Sequence, residues 1–174
     1  MSKELGKLLH QIGTEAPAEV AEIEVTSLAE DSRQVQPGSL FVALSGLQFD
    51  GHRYISQAAE AGAIAAVGES AVEAGIPYFQ VPDSRLALAQ LAAAWHGKPA
   101  DQLVMIGITG TDGKTTTANL LFQILKKAGV PTGMITTVNA IIGDEVRDTG
   151  FHVTTPPARQ VQAYLAEMVE AGMT

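Results

Sequence analysis

The sequence contains no cysteine. Disulfide bonds, thiolate nucleophiles and zinc sites built on cysteine are therefore excluded. It also lacks any apolar run near the ~20 residues that a membrane-spanning helix needs. Residues 1–12 interleave charged residues with leucine and isoleucine, which is typical of a short amphipathic helix and lacks the continuous apolar centre of a secretory signal. These absences predict a soluble, cytoplasmic protein.

Basic residues are few. Lys and Arg number 11 against 19 Asp and Glu, which gives the chain of 174 residues a net charge of −8. This excess of negative charge argues against a surface that binds nucleic acid or an anionic membrane. We therefore expect neither partner, and we expect phosphate groups to be bound at local sites built from backbone N–H groups.

One glycine-rich loop follows an apolar stretch and opens a helical pattern. We predict a strand over residues 103–109, and the loop then reads Gly-Thr-Asp-Gly-Lys-Thr-Thr over residues 110–116. Backbone N–H groups freed by the glycines converge at a helix N-terminus, where the dipole favours an anion. Lys114 supplies a charge for phosphates, and the hydroxyl of Thr115 is a ligand for Mg²⁺. The predicted nucleotide contacts are Gly110, Thr111, Asp112, Gly113, Lys114, Thr115 and Thr116.

The loop departs from the general P-loop pattern at one position. That pattern has a glycine five residues before Gly113, where this chain has Ile108, so the tight loop begins at Gly110 instead. The alternative interpretation is a glycine-rich turn with an exposed lysine. The order of strand, loop, Lys-Thr pair and helix favours binding of a nucleoside triphosphate.

The first half of the chain is typical of a mixed α/β domain. Alternating or continuous apolar runs predict strands over residues 22–26, 39–44, 63–67 and 77–81, with 39–44 as a central strand. Helices are predicted over residues 54–61, ending at Gly62, and after Asp83 as a cap. The run His96-Gly97-Lys98-Pro99 ends this pattern, and we place a domain boundary after residue 98.

The second half restarts with the glycine loop and its helix. Leu121, Ile124, Leu125 and Ala128 lie on one predicted inward face, and residues 132–137 predict a second strand of the same sheet. A hairpin is expected around Gly143-Asp144 and a helix after Pro157. The fold class is therefore α/β: a small N-terminal α/β domain over 1–98, then an incomplete P-loop-type α/β domain over 99–174, which has too few strands and looks truncated.

Three further polar segments have both a structural and a functional interpretation. Asp31-Ser32-Arg33 suits a sugar or a phosphate, although spacing alone favours an Asx-turn closed by an Arg–Asp pair. Residues 46–52 form a polar loop after an apolar strand, where α/β proteins bind ligands. Thr154-Thr155-Pro156 is either a helix cap or a receiver for an anionic group. His52, His96 and His152 are predicted as surface or cap residues, since none has a second ligand at metal spacing.

Together these segments resemble the Mur ligases, the ATP-dependent amide ligases of peptidoglycan synthesis. The resemblance runs from Val25 to the last residue and is carried by Asp31-Ser32-Arg33 with residues 37–44, by Asp50-Gly51, by the loop 110–116 and by Thr154-Thr155-Pro156. The loop is also shared by folylpolyglutamate synthases, which would not need residues 31–44. The Thr-Thr-Pro motif favours the ligase that adds the third amino acid over the ligase of the following step.

This resemblance implies ATP and Mg²⁺ as cofactors, with UDP-N-acetylmuramoyl-L-alanyl-D-glutamate and an amino acid as substrates. ATP would phosphorylate the free carboxylate of D-glutamate to an acyl phosphate, which the incoming amine attacks, while Lys114 stabilises the phosphates. The first domain would bind the UDP-muramoyl substrate. In the nucleotide loop of the second domain, this chain has Asp112 where the family more often has asparagine. The implied substrate contacts are Glu30, Ser32, Leu47, Gln48, Phe49, Thr154 and Thr155.

Two alternatives stay open from the sequence: a stand-alone module that binds a UDP-sugar or nucleotide, and the ligase of the following step. The family's second-metal glutamate, its carbamylated lysine and its amino-acid-binding domain would lie beyond Thr174. We therefore expect that this chain alone is not catalytically competent, and we assign no catalytic residue within it besides the supporting role of Lys114.

Overall fold

The computed structural model describes residues 2–46, 50–149 and 156–174, and the chain divides into two compact units, Met1–Trp95 and His96–Thr174. Just after this division, Gly97 and Lys98 have positive φ angles of 76° and 54°. Two successive left-handed residues cannot continue a right-handed helix, so the preceding helix ends there. Within the described ranges, no helix is both long enough and apolar enough to cross a membrane.

The first unit contains a parallel sheet of four strands and a short antiparallel pair. The pair is β1 (Lys3–Glu4) with β2 (Glu24–Val25), and the sheet has the order β3 (Ser27–Ala29), β4 (Ser39–Ala43), β5 (Ala63–Gly68), β6 (Tyr78–Gln80). The helices are α1 (Leu5–His10), α2 (Ala18–Ala21), α3 (Ile55–Glu60) and α4 (Ser84–Trp95). The three strands and two helices predicted between residues 39 and 95 are confirmed, as is the helix near the N-terminus.

The strand predicted over residues 22–26 is shorter than the prediction. Only Glu24–Val25 is a strand, and it pairs with β1, while β3 begins one residue after Thr26. The N–H of Thr26 donates to the carbonyl of Gly38 at 2.9 Å, and its hydroxyl donates to the carbonyl of Pro37 at 2.8 Å. The chain therefore passes from one sheet into the other at Thr26, a division that period-two alternation does not indicate.

Strand β4 lies in the middle of the parallel sheet, between β3 and β5. Its side chains alternate between two cores: Leu40 and Val42 pack with α1 and α4 on one face, and Phe41 and Ala43 pack with α3 on the other. Every residue of the strand is buried. Helices cover both faces, which explains why this strand is a continuous apolar run instead of an alternating one.

Helix α4 covers one face of the sheet. Its buried side chains include Ala87, Leu88 and Leu91, which share a face at helical spacing. The carboxylate of Asp83 accepts a hydrogen bond from the N–H of Leu86 at 2.9 Å, as the prediction of a cap required.

The described residues of the second unit form two α-helices and an antiparallel sheet, preceded by a short 3-10 helix over Pro99–Gln102. The elements are α5 (Lys114–Lys127), β7 (Met134–Ile135), β8 (Asn139–Ile142), β9 (Glu145–Asp148) and α6 (Ala158–Glu170), with the strands in that spatial order. Tyr164, Leu165 and Met168 of α6 pack with Ala140 and Ile142 of β8. The predicted hairpin around Gly143-Asp144 and the predicted helix after Pro157 are confirmed.

The strand predicted over residues 103–109 is wrong. The structure gives these residues no strand, and Val104, Met105 and Ile106 are exposed by 78%, 55% and 57%. A strand requires a hydrogen-bonded neighbour, and the described residues supply none to this segment. Of the strand predicted over 132–137, only β7 (Met134–Ile135) is present, and its predicted place in the same sheet as residues 103–109 is wrong, because β7 pairs antiparallel with β8.

The predicted inward face of α5 is only partly correct. Phe122 is the buried residue of this helix, Leu121 and Leu125 are half-buried, and Ile124 is exposed by 63%. The face that a helix buries depends on the elements that pack against it, and β7 is the main one here. The periodicity located the helix correctly but not the side that packs.

We expect Leu91→Ala to lower the free energy of unfolding of the first unit by ~2–5 kcal/mol, because it opens a cavity in a fully buried position. Leu86→Ala is the matched control on the same helix, since Leu86 is 55% exposed and should cost less than about 0.5 kcal/mol. Urea unfolding followed by circular dichroism measures both. Equal destabilisation by the two substitutions would contradict the placement of α4.

Candidate functional site

The glycine loop of the second unit leads directly into α5. Gly110 and Gly113 have φ angles of 148° and 75°, values that L side chains adopt only under strain. The first intrahelical bond joins the N–H of Thr117 to the carbonyl of Gly113 at 2.9 Å. The N–H groups of residues 114–116 therefore have no acceptor within the helix, and they lie at the positive end of its dipole.

Lys114 folds back over this loop. Its ammonium group donates to the carbonyl of Gly110 at 2.6 Å and to the carbonyl of Thr111 at 3.1 Å. These bonds hold a positive charge against the same loop whose amides begin the helix. The side chain of Asp112 is exposed on the loop, so one carboxylate also lies near this charge.

The donors present fit a Mg²⁺-bound triphosphate. Thr115 is half-buried in the first turn of α5, and its hydroxyl is an oxygen ligand of the kind that Mg²⁺ accepts alongside phosphate oxygens. A Cβ built on Gly113 would meet no atom within 4 Å, so the approach to the loop is open. Among the residues that the structure describes, no group of three or more His, Asp or Glu could hold a metal ion by itself.

In the first unit, the parallel sheet gathers four polar loops at one edge. Since β3, β4, β5 and β6 run in the same direction, the segments that follow them leave the sheet at its carboxyl-terminal edge. This edge is where open α/β sheets bind ligands. Glu30 directly follows β3 and is half-buried there.

The segment after β3 forms the Asx-turn that spacing favoured. The Asp31 carboxylate accepts the N–H of Arg33 at 3.0 Å and three hydrogen bonds from the Arg33 guanidinium, the shortest at 2.6 Å. The side-chain bond from Arg33, with the backbone bond, lowers the pKa of Asp31 to about 2. The Ser32 hydroxyl donates to the side-chain oxygen of Gln57 on α3 at 3.0 Å. The Asp31–Arg33 pair thus fixes the turn, and Ser32 lies between these two residues at the centre of the turn.

His52 is buried between two loops, so its prediction as a surface or cap residue is wrong. Its side chain is 3% exposed, its Nδ1 lies 2.6 Å from Asp50 Oδ1, and its Nε2 accepts the N–H groups of Glu69 at 2.8 Å and Ser70 at 3.1 Å. The sequence contained a pattern that could have indicated this turn. Asp50-Gly51-His52 repeats the Asp-x-basic pattern of the first Asx-turn, and Asp50 accepts the N–H of His52 in the same way.

Glu69 connects the loop after β5 to the start of α4. Its Oε1 accepts the N–H of Ser84 at 2.8 Å and the hydroxyl of Ser84 at 2.7 Å, and these bonds, the backbone one first, lower the pKa of Glu69. The guanidinium of Arg85 donates to the carbonyl of Ser45 at 3.0 Å, which ties the loop after β4 to the same helix. Sequence reasoning missed both contacts, because neither residue lies in a recognisable motif.

Several predicted contacts lie outside the described residues. These are Leu47, Gln48, Phe49, Thr154 and Thr155, and His152 lies there as well. The structure describes Glu30 and Ser32 in the first unit, and Gly110, Thr111, Asp112, Gly113, Lys114, Thr115 and Thr116 in the second.

Two protein-family models match the chain. Residues 24–96 match the catalytic domain model of the Mur ligase family, and residues 108–174 match the Mur ligase middle domain. The second match includes the glycine loop and α5.

Curated relatives are similar over most of this chain. A UDP-N-acetylmuramyl-tripeptide synthetase of Deinococcus radiodurans is 48% identical, covering 86% of this chain and 31% of that protein. A UDP-N-acetylmuramoyl-L-alanyl-D-glutamate–2,6-diaminopimelate ligase of Listeria monocytogenes is 41% identical. The match covers 90% of this chain and 32% of that protein. The chain therefore spans about a third of the length of these relatives.

A solved structure shows the same fold. It is a UDP-N-acetylmuramoyl-L-alanyl-D-glutamate–2,6-diaminopimelate ligase, and it aligns over 100% of this chain and 35% of its own, with a TM-score of 0.75 and 24% identity. The mixed α/β fold class predicted from the sequence is confirmed by this likeness. Since two Mur ligase models together match most of its residues, this chain belongs to the Mur ligase family.

Proposed function

We propose that the protein is a MurE-type ligase, which adds the third amino acid to UDP-N-acetylmuramoyl-L-alanyl-D-glutamate in an ATP-dependent reaction. The observation that carries the proposal is the glycine loop opening α5 with Lys114 folded over it. The names of the curated relatives, a tripeptide synthetase and a diaminopimelate ligase, favour this step over the following one, which a MurF-type ligase performs.

In this proposal the second unit binds the nucleotide. The amides of the Gly110–Thr116 loop and the ammonium of Lys114 hold the phosphates, and the hydroxyl of Thr115 is the protein's ligand to Mg²⁺. ATP, when bound, supplies the phosphoryl group that activates the D-glutamate carboxylate. The protein's own contribution is to position the phosphates and to neutralise charge, since little covalent work falls to side chains in phosphoryl transfer.

The first unit binds the UDP-sugar at the carboxyl-terminal edge of its sheet. We assign this contact to Glu30 and Ser32, because both follow β3 at that edge and Ser32 is held by the Asp31–Arg33 turn. By the family resemblance, Leu47, Gln48 and Phe49 complete the sugar-nucleotide contact, and Thr154 and Thr155 hold the muramoyl-peptide end.

The partners in this proposal are small molecules only. They are the UDP-muramoyl dipeptide, an amino acid and ATP with Mg²⁺, and the net charge of −8 supports the absence of a nucleic-acid or membrane partner. We place the reaction in the cytoplasm, as the family resemblance implies.

Lys114→Met should weaken Mg-ATP binding at least about tenfold, because it removes the charge-assisted contact to the phosphates. Lys127→Met is the matched control, since Lys127 is exposed at the other end of the same helix and should leave the affinity unchanged. Calorimetric titration of both variants, with unfolding curves to check the fold, makes the comparison. Equal affinities for the two variants would contradict the assignment of the loop.

Asp112→Asn should strengthen Mg-ATP binding by about threefold. The exposed carboxylate of Asp112 repels a triphosphate at the loop, and an uncharged amide of similar shape does not. Titration over a range of salt concentrations tests the cause, since the gain should shrink as salt screens the repulsion. Weaker binding by the asparagine variant would instead make Asp112 a contributor to Mg²⁺ binding.

Ser32→Ala should weaken binding of UDP-N-acetylmuramoyl-L-alanyl-D-glutamate about tenfold, through loss of one hydroxyl contact. Ser56→Ala is the control, because Ser56 is exposed on the neighbouring helix α3 and has no role in the proposal. Calorimetry without ATP measures binding of the UDP-muramoyl substrate apart from that of the nucleotide. An unchanged affinity in the Ser32 variant would remove this residue from the site.

A further inference from the structure

His52 joins two of the loops at the carboxyl-terminal edge of the first unit's sheet. It belongs to the loop after β4, and its Nε2 accepts the N–H groups of Glu69 and Ser70, which directly follow β5. Glu69 in turn binds Ser84 at the start of α4. Arg85 of the same helix returns to Ser45 in the loop after β4.

These contacts form a closed circuit, which we call the edge circuit: Ser45, Asp50, His52, Glu69, Ser70, Ser84 and Arg85. Ser45 and Asp50 close it on the other side, since they form an isolated antiparallel bridge. The circuit therefore fixes both the point where the chain departs after Ser45 and the point where it returns at Asp50. Breaking it at His52 separates Asp50 and His52 from the end of β5.

The hydrogen bonds determine the protonation state of the ring. Two N–H donors meet Nε2, so this nitrogen carries no proton and acts as the acceptor. Nδ1 then carries the proton and donates to Asp50 Oδ1 at 2.6 Å. The bond from His52 is the main cause of the lowered pKa of Asp50, so the ring faces a carboxylate on this side.

We propose that His52 is a positioning residue for the UDP-sugar site, because its Nε2 accepts the N–H groups of Glu69 and Ser70 and so holds its own segment against the end of β5. The inference rests on the proposed function for the identity of the ligand. A protonated Nε2 would point a donor at two other donors, and the N–H groups of Glu69 and Ser70 would lose their acceptor.

Gly68 packs closely against the ring. A Cβ built on Gly68 would lie 2.4 Å from His52 Nε2 and 2.7 Å from the Tyr78 hydroxyl, so both groups pack directly against this glycine. The Tyr78 hydroxyl donates to the carbonyl of Ser70 at 2.6 Å. Besides Asp50, the charged groups near the ring are Glu69 on the loop after β5 and Arg53 on the ring's own segment.

Two substitutions separate the two nitrogens of the ring. His52→Gln places an oxygen near the position of Nε2, so it keeps an acceptor for the two amides and cannot gain a charge. His52→Asn keeps a donor near the position of Nδ1 for Asp50 but leaves the amides of Glu69 and Ser70 without an acceptor. The other histidines remain in both variants, so a difference between the variants belongs to His52.

The experiment is calorimetric titration of the whole chain and both variants with UDP-N-acetylmuramoyl-L-alanyl-D-glutamate. The glutamine variant should bind within about twofold of the wild type, because it keeps an acceptor for the two amides. The asparagine variant should bind at least about tenfold more weakly than the wild type, because it leaves these amides without an acceptor.

Two results would overturn the inference: binding by the glutamine variant as weak as that of the asparagine variant, or wild-type affinity in the asparagine variant. If the wild type fails to bind, the proposed function fails for this chain. Hydrogen exchange of the Glu69 and Ser70 amides then decides whether the circuit exists. Loss of protection in the asparagine variant but not in the glutamine variant supports it, and unchanged protection in the asparagine variant refutes it.

Discussion

The parallel pairing of β4 with β3 and β5 is the constraint on which the first unit depends. It buries Leu40 and Val42 on one face and Phe41 and Ala43 on the other, so the sheet needs helices on both sides. It also sends every following loop to the same edge. Polar residues far apart in the chain therefore meet there, and most of them must satisfy one another's hydrogen bonds.

In the proposed function, the two candidate sites bind their phosphate-bearing ligands in different ways. In the second unit, the loop 110–116 is local: two glycines, a lysine and a threonine within one turn supply amides, charge and hydroxyl. In the first unit, the contacts come from separate loops that a buried ring and a buried serine hold together. An acidic chain can bind anions in both ways, because neither depends on its overall charge.

In the second unit, strand formation depends on the presence of a hydrogen-bonded partner strand. Val104, Met105 and Ile106 have the composition of a buried strand, yet they are exposed because no described strand pairs with them. Met134 and Ile135, in contrast, have a partner in β8 and form a strand of only two residues. Apolar composition indicates where a strand is favoured, and pairing decides whether it forms.

Local chemistry was determined by the sequence alone: the glycine loop before α5, the caps and stops at Asp83 and Gly62, and the Asx-turn at Asp31 each depend on residues close together in the chain. The continuous apolar run of β4 likewise identified the central strand. The tertiary structure alone decided which face of α5 is buried, where β2 gives way to β3, and that His52 accepts two amides from residues 17 and 18 positions away. These depend on contacts between distant segments, and hydrophobic periodicity carries no information about which segments meet.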